Sequence, residues 1–275
     1  MNSINTKNRL GFTPLHHAVI KNDRGSVNAL LNDSAIDINV RDENGWTPLH
    51  DAVINDNYDV LNALLKHPTL DANARVRFER APLHFAVCKN SSNCVKAFLN
   101  HPRDVIDINV RDVNGCTPLQ YAVINHNREI VNALIMHPAI DVNAKNRNGW
   151  TPLQYAVIND NCEIVNALLR HPAIDVNVKQ GNRGSTPLHY AVCKNSSDCV
   201  NALLDHPTVD VNVKDGYGWT PLHYAVMNDN YCILIRLLNH PSINANMKDG
   251  KGRSPYRLAI LNHKNKCIDV LEDSM

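Results

Sequence analysis

The strongest constraint on this 275-residue chain is that it repeats itself. Thr-Pro-Leu begins at Thr13, Thr47, Thr117, Thr151, Thr186 and Thr220, and the variants Ala81-Pro82-Leu83 and Ser254-Pro255-Tyr256 fill the gaps. Successive intervals are 34, 34, 36, 34, 35, 34 and 34 residues, so eight units span residues 1–275 with cores starting near 13, 47, 81, 117, 151, 186, 220 and 254. A period of this size implies one supersecondary unit per repeat, stacked because no unit can bury its apolar side alone. The irregular intervals come from two extra residues within His101–Asp107 and one near Gln180–Gly184. Both fall in turns, where added backbone costs little.

The unit from Arg41 to Asn73 illustrates the pattern. Asn44-Gly45 supplies tight-turn chemistry. Thr47 is an N-cap, and Pro48 stands at the first helical position, where its missing N–H costs nothing. A short helix carries Leu49, Ala52 and Val53. Asn55-Asp56-Asn57 ends it with residues that tolerate the left-handed region. A second helix carries Val60, Leu61, Leu64 and Leu65 at helical spacing, and His67-Pro68 stops it.

On Asp42, Gly45, Thr47-Pro48-Leu49-His50, Ala52, Leu64-Leu65 and Asp71-x-Asn73, the unit resembles the ankyrin repeat. The resemblance implies an all-α solenoid of helix–turn–helix units joined by hairpin-like loops. It also implies a scaffold or adaptor that binds a partner protein on a concave groove and does no catalysis. The chain departs from the family in replacing the glycine between the helices by Asp56, His126, Asp160 or Asp229. His-Pro stands in place of Gly-Ala at the unit's end. Arg80 and Ala81 disturb the third cap, which is expected to be the loosest joint. Cys88–Val95 reappears as Cys193–Val200, a mark of duplication of a three-unit block.

Composition excludes several alternatives. Lys+Arg number 28 against 27 Asp+Glu, net +1, which argues against a dedicated nucleic-acid binder. Apolar runs such as Leu258–Leu261 are too short to span a membrane, and Met1–Lys7 lacks the apolar core of a signal peptide. A cytoplasmic monomer is expected, or a microbial effector in host cytoplasm. The runner-up is a targeting or inhibitory subunit of a catalytic partner.

No catalytic residue, cofactor or metal site is expected. His67, His101, His137, His171, His206 and His240 recur once per unit, too far apart to share a zinc ion. They are read as helix ends where imidazole meets terminal carbonyls. His16, His50, His84, His189 and His223 follow Thr-Pro-Leu, and the resemblance implies that they bond backbone and tie neighbouring hairpins. The eight Cys contain no Cys-x-x-Cys pair. They read as small apolar filling, with a cross-link between the two helices of unit three or six (Cys88–Cys94, Cys193–Cys199) as a secondary reading.

Helical geometry places Leu119, Ala122 and Val123 toward the core, and Tyr121, Ile124 and Asn125 toward the groove. The equivalent positions along the stack read His17, Asp51, Phe85, Tyr121, Tyr155, Tyr190, Tyr224, Leu258 and then Ile20, Ile54, Cys88, Ile124, Ile158, Cys193, Met227, Leu261. The partner-binding residues expected are therefore Trp46, Ile54, Phe85, Tyr121, Ile124, Trp150, Tyr155, Ile158, Tyr190, Trp219, Tyr224 and Met227. Lys89, Lys194, Asn55, Asn125, Asn159 and Asn228 would form the rim. The competing reading packs these aromatics against the hairpins. Asn177 and Asn212 resemble the ankyrin context of asparaginyl hydroxylation.

Overall fold

Each Thr-Pro or its variant starts a helix in the computed structural model, which describes residues 4–101 and 106–274. The two-residue insertion within His101–Asp107 falls largely outside the described residues. Among these residues there are sixteen α-helices, two per repeat. Repeat one holds α1 (Pro14–Ile20) and α2 (Arg24–Leu31), repeat two α3 (Pro48–Ile54) and α4 (Tyr58–Leu65), and repeat three α5 (Pro82–Cys88) and α6 (Ser92–Leu99). Repeat four holds α7 (Pro118–Ile124) and α8 (Arg128–Ile135), repeat five α9 (Pro152–Ile158) and α10 (Cys162–Leu169), and repeat six α11 (Pro187–Cys193) and α12 (Ser197–Leu204). Repeat seven holds α13 (Pro221–Met227) and α14 (Tyr231–Leu238), and repeat eight α15 (Pro255–Leu261) and α16 (Asn265–Glu272). No strand occurs among the described residues, only two isolated bridges, Val76 with Arg80 and Gln180 with Ser185.

The chain divides into two compact units, residues 1–141 and 142–275. In the first unit, α1, α3, α5 and α7 pack in sequence order, and α2, α4, α6 and α8 form a second row behind them. The second unit repeats this arrangement with α9, α11, α13 and α15 in front and α10, α12, α14 and α16 behind. Each core is apolar filling between the rows. Leu49, Val53, Leu61 and Leu64 are fully buried in the first unit, as are Val157, Leu168, Leu203 and Leu222 in the second.

Local chemistry sets the helix bounds. Thr Oγ1 and the Thr N–H both reach His Nδ1 three residues on, at 2.8 and 3.3 Å for Thr47 and His50. Gln120 and Gln154 replace His by accepting the N–H of Thr117 and Thr151 at 2.9 and 3.0 Å. Between the two helices of every repeat one non-glycine residue takes a positive φ, from Asn22 and Asp56 to Asp229 and His263. The single inserted residue near Gln180 is absorbed by a 3-10 turn, Gly181–Arg183, closed by the Gln180 N–H on Ser185 O at 2.9 Å. At the hairpin tips, the Gly250 N–H donates to Tyr217 O and the Glu43 N–H to Leu10 O. Gly218 (φ +75°) has no room for a side chain, since a Cβ there would lie 2.5 Å from Gly250 N. Gly45 (φ +82°) faces open space.

The eighth repeat departs from the pattern of the others. Tyr256 replaces the buried leucine, and Ile260 is exposed where the other repeats bury valine. Leu258, expected in the groove, is instead buried. Lys266 lies over the Tyr231 ring at 5.0 Å and Tyr256 donates to Glu272, so polar groups of α16 fold back on the protein.

Candidate binding face of the first helices and hairpins

The twelve residues expected to bind a partner are all half-buried. The aromatic ones are engaged with one another. Each Trp begins as part of a closed turn: the Asp42 carboxylate accepts the N–H groups of Asn44 and Trp46, both at 2.8 Å. The ring then packs on the first-helix aromatic of its own or the next repeat. Trp46 lies 5.0 Å from Phe85, Trp150 lies 5.7 Å from Tyr155 and 4.9 Å from Tyr190, and Trp219 lies 5.0 Å from Tyr224.

The tyrosine hydroxyls are also taken. Tyr121 donates to Asp112 at 2.7 Å and Tyr224 to Asp215 at 2.6 Å, while Asn146 donates to the Tyr155 oxygen at 2.8 Å. Tyr190 donates to Gln180 at 3.3 Å. Each bond ties a helix to the hairpin that precedes it. Burial, and then the carboxylate beside each hydroxyl, raises the pKa of Tyr121 and Tyr224. The stripe is thus part of the architecture, and only its outer edges face solvent. Ile54, Ile124, Ile158 and Met227 lie one turn further along their helices, also half-buried.

Repeat two breaks the stripe. Asp51 stands where Tyr224 stands in repeat seven, so two carboxylates, Asp51 and Asp42, replace the Tyr–Asp pair. Burial, with the Asp42 charge second, pushes the Asp51 carboxyl up to about 7, and its Oδ2 has no partner.

One part of the face remains open. Tyr217, Trp219, Tyr224, Asp249, Lys251 and Arg253 line a cavity of about 400 Å³ between the hairpins of repeats seven and eight. Its walls are aromatic, and Tyr217 at the rim is 66% exposed. Arg253 forms a two-pronged ion pair with Asp249 at 2.6 and 2.8 Å, which fixes the cationic wall. Sequence reasoning missed Tyr217, although a tyrosine breaks the series Asn44, Asn114, Asn148 at that hairpin position. Phe78 is a second missed tip residue, 56% exposed at φ +65° beneath the Arg77 guanidinium.

The histidines are structural. Nδ1 of His16, His50, His84, His189 and His223 accepts a backbone N–H, so the neutral ring carries its proton on Nε2. That proton reaches the next repeat: His84 to Cys116 O at 3.0 Å, His189 to Trp219 O and His223 to Arg253 O, both at 3.1 Å. Burial lowers all five pKa values, that of His50 to about 4. The His-Pro histidines need a correction. Nδ1 of His137, His171 and His240 accepts the N–H two residues on, because the intervening proline has none to give. His101 does meet a terminal carbonyl, that of Leu65 in the preceding repeat, at 2.8 Å.

The asparagines prove to be inter-repeat staples. Asn177 Nδ2 donates to Thr208 O at 2.7 Å and its Oδ1 accepts the Asp210 N–H at 2.8 Å. Asn212 repeats this with Ser242 and Asn244, and Asn39 with Thr69 and Asp71. Asn125 and Asn228, expected at the rim, donate to Val87 O and Val192 O at the end of the preceding first helix. The cysteine pairing is also corrected. Cys199 meets Cys162 of the preceding repeat, Sγ to Sγ 2.6 Å, because two second helices lie side by side there. All eight cysteines are free thiols.

Comparison with known proteins agrees with this geometry. The family described as ankyrin repeats (3 copies) matches residues 1–76, 69–146, 139–215 and 208–274. No curated protein matches the chain in sequence. Among solved structures, the ankyrin repeat domain of Bcl-3, described as a unique member of the IkappaB protein family, superposes with a TM-score of 0.67 at 24% identity, over 95% of this chain and 99% of that one. The ankyrin repeat protein EF0377 superposes with a TM-score of 0.64 at 26% identity, over 74% of this chain and 98% of that one. Those likenesses describe the fold, and the successive matches along the sequence settle the lineage: the chain belongs to the ankyrin-repeat family.

Proposed function

We propose that this chain is a non-catalytic scaffold whose first-helix and hairpin side docks a partner protein. Ankyrin repeats generally mediate protein–protein interactions, and the family is typically non-catalytic. The reading takes residues 1–275 as one array acting as a monomer in the cytoplasm; overlapping family matches across residue 141 support the array. No helix among the described residues is long and apolar enough to cross a membrane. The carrying observation is the open recess of Tyr217, Trp219 and Tyr224. Tyr224 and Arg253 are already held by Asp215 and Asp249 before binding, so docking into the recess would lose little conformational entropy. It suits an aromatic or aliphatic side chain of the partner, and Lys251 at its lip favours an acidic neighbour. The wider set Trp46, Ile54, Phe85, Tyr121, Ile124, Trp150, Tyr155, Ile158, Tyr190 and Met227 would contribute only its solvent-facing edges. A targeting subunit, an inhibitor and a microbial effector would use this surface in the same way and differ in the partner.

Selection of a displayed peptide library against the intact chain tests the reading. Tyr217→Ala should weaken the selected peptides about tenfold or more, as for an interface anchor, with unchanged thermal unfolding. Met136→Ala, an 82% exposed residue outside the recess, should leave binding unchanged. Peptides that bind Tyr217→Ala as tightly as the parent chain would refute the assignment.

A further inference from the structure

The residue between the two helices of a repeat reaches across to the next repeat. Asp56 accepts the Ser91 hydroxyl in a very short bond and the Cys94 thiol at 3.3 Å. Asp160 accepts the Ser196 hydroxyl, again very short, and the Cys199 thiol at 3.7 Å. Asp229 accepts the Cys267 thiol at 3.6 Å. These are three copies of one arrangement, and they differ in two places. The helix start beside the aspartate is Tyr58 in the first, Cys162 in the second and Tyr231 in the third. At the N-cap of the next repeat stand Ser91, Ser196 and Lys264.

The second copy therefore gathers three ligand atoms of metal-binding type. Cys162 Sγ lies 2.6 Å from Cys199 Sγ and 3.9 Å from Asp160 Oδ1. For a tetrahedral zinc ion with Zn–S about 2.3 Å and Zn–O about 2.0 Å, neighbouring ligand atoms stand ~3.5–3.8 Å apart. The sulfur–carboxylate separations of 3.9 and 3.7 Å are a few tenths of an ångström longer than the ~3.5 Å sulfur–oxygen edge. The two sulfurs, 2.6 Å apart, would have to separate to the ~3.8 Å sulfur–sulfur edge, and Cys162 is the half-buried one of the pair. Charge points the same way. In the third copy the Lys264 ammonium lies 3.8 Å from Asp229, whereas among the described residues no cationic side chain pairs with Asp160. The carboxylate beside two sulfurs completes a pocket suited to a cation.

We propose that Asp160, Cys162 and Cys199 form a site for a thiophilic divalent cation of the zinc class, pinning repeat five to repeat six with water in the fourth position. Binding would release the two thiol protons as the cation replaces them.

The test is titration of the reduced, metal-free full chain with Cd(II), following the thiolate-to-cadmium ultraviolet band and the thermal midpoint. One ion per chain should bind, release two protons and raise the midpoint, with Zn(II) competing. Cys162→Tyr installs the residue that repeats two and seven carry, so it should fold normally and lose the band and the midpoint shift. Tyr58→Cys rebuilds the cluster at the 45% exposed position beside Asp56 and should raise the stoichiometry from one to two. The proposal is overturned if the band persists in Cys162→Tyr. It is equally overturned if the parent chain takes up no Cd(II), or if Tyr58→Cys adds no second ion.

Discussion

Repeats three and six carry almost the same helices, yet they are held by different means. Cys88–Val95 and Cys193–Val200 differ at one position, Asn93 against Asp198. In repeat six, Thr186 caps α11 through His189, and Gln154 of the preceding repeat donates to Val178 O and Ser185 O at 2.9 and 3.4 Å. In repeat three, Ala81 has no hydroxyl to offer. His50 of the preceding repeat also leaves its Nε2 without a well-formed bond. Compensation comes from Arg80. Its guanidinium donates to the Tyr121 oxygen at 2.7 Å, lies over that ring at 4.9 Å, and stands 3.9 Å from the buried Asp112 carboxylate. At the start of α5, repeat three thus lacks the backward tie that repeat six has and gains a forward one through Arg80. Duplicated helices tolerate divergence in the loops, even where it leaves one buried nitrogen, His50 Nε2, without a bond.

The largest expected effect is on acid stability. Burial lowers the pKa of His50 from the ordinary 6.5 to about 4. Its neutral ring therefore supports the fold above about pH 6.5, and that support is lost as pH falls toward 4. The loss is on the order of 3 kcal/mol at about 1.4 kcal/mol per pH unit. His84 and His189 shift the same way. His50→Gln, the residue type used in repeats four and five, should flatten urea stability between pH 7 and 5; an unchanged pH slope would refute the buried neutral assignment.

Next comes Arg80→Ala, which leaves Asp112 buried without its cation. A loss of about 2 kcal/mol is expected, below the range for a fully buried pair because Asp112 keeps three other donors. Ser185→Ala, at the equivalent place in repeat six, should cost far less by the same denaturation measurement. Smaller again are the cap exchanges. Thr186→Ala should cost about 1 kcal/mol, and Ala81→Thr should return a similar amount to repeat three. The smallest is Phe78→Gly, which relieves a left-handed conformation and should stabilise by about 0.5–1 kcal/mol. If Phe78 contributes to binding, selected peptides should weaken at the same time.

Much of the fold was legible because a helical repeat writes its core locally. Thr-Pro-Leu, the positive-φ Asp56 or Asn22, and the Leu64-Leu65 pair each act within one unit, so spacing alone exposes them. The inter-repeat bonds were not legible. Asn39 to Thr69 and Asn177 to Thr208 join residues 30 and 31 apart, and their asparagines look like ordinary turn residues. Cys162 and Cys199 lie 37 apart, beyond any short metal-binding spacing. The candidate binding face was half legible. Helical periodicity placed Tyr121 and Tyr224 away from the core, and their hydroxyls are committed to Asp112 and Asp215. The open surface instead depends on Tyr217, a single departure at one hairpin tip.

The most direct test is hydrogen exchange of the intact chain with and without its tightest selected peptide. The account predicts slowed exchange in residues 215–219 and 249–253, the hairpins that frame the recess, with α14 and α16 unchanged. Protection confined to α14 and α16, with those hairpins unaffected, would contradict it.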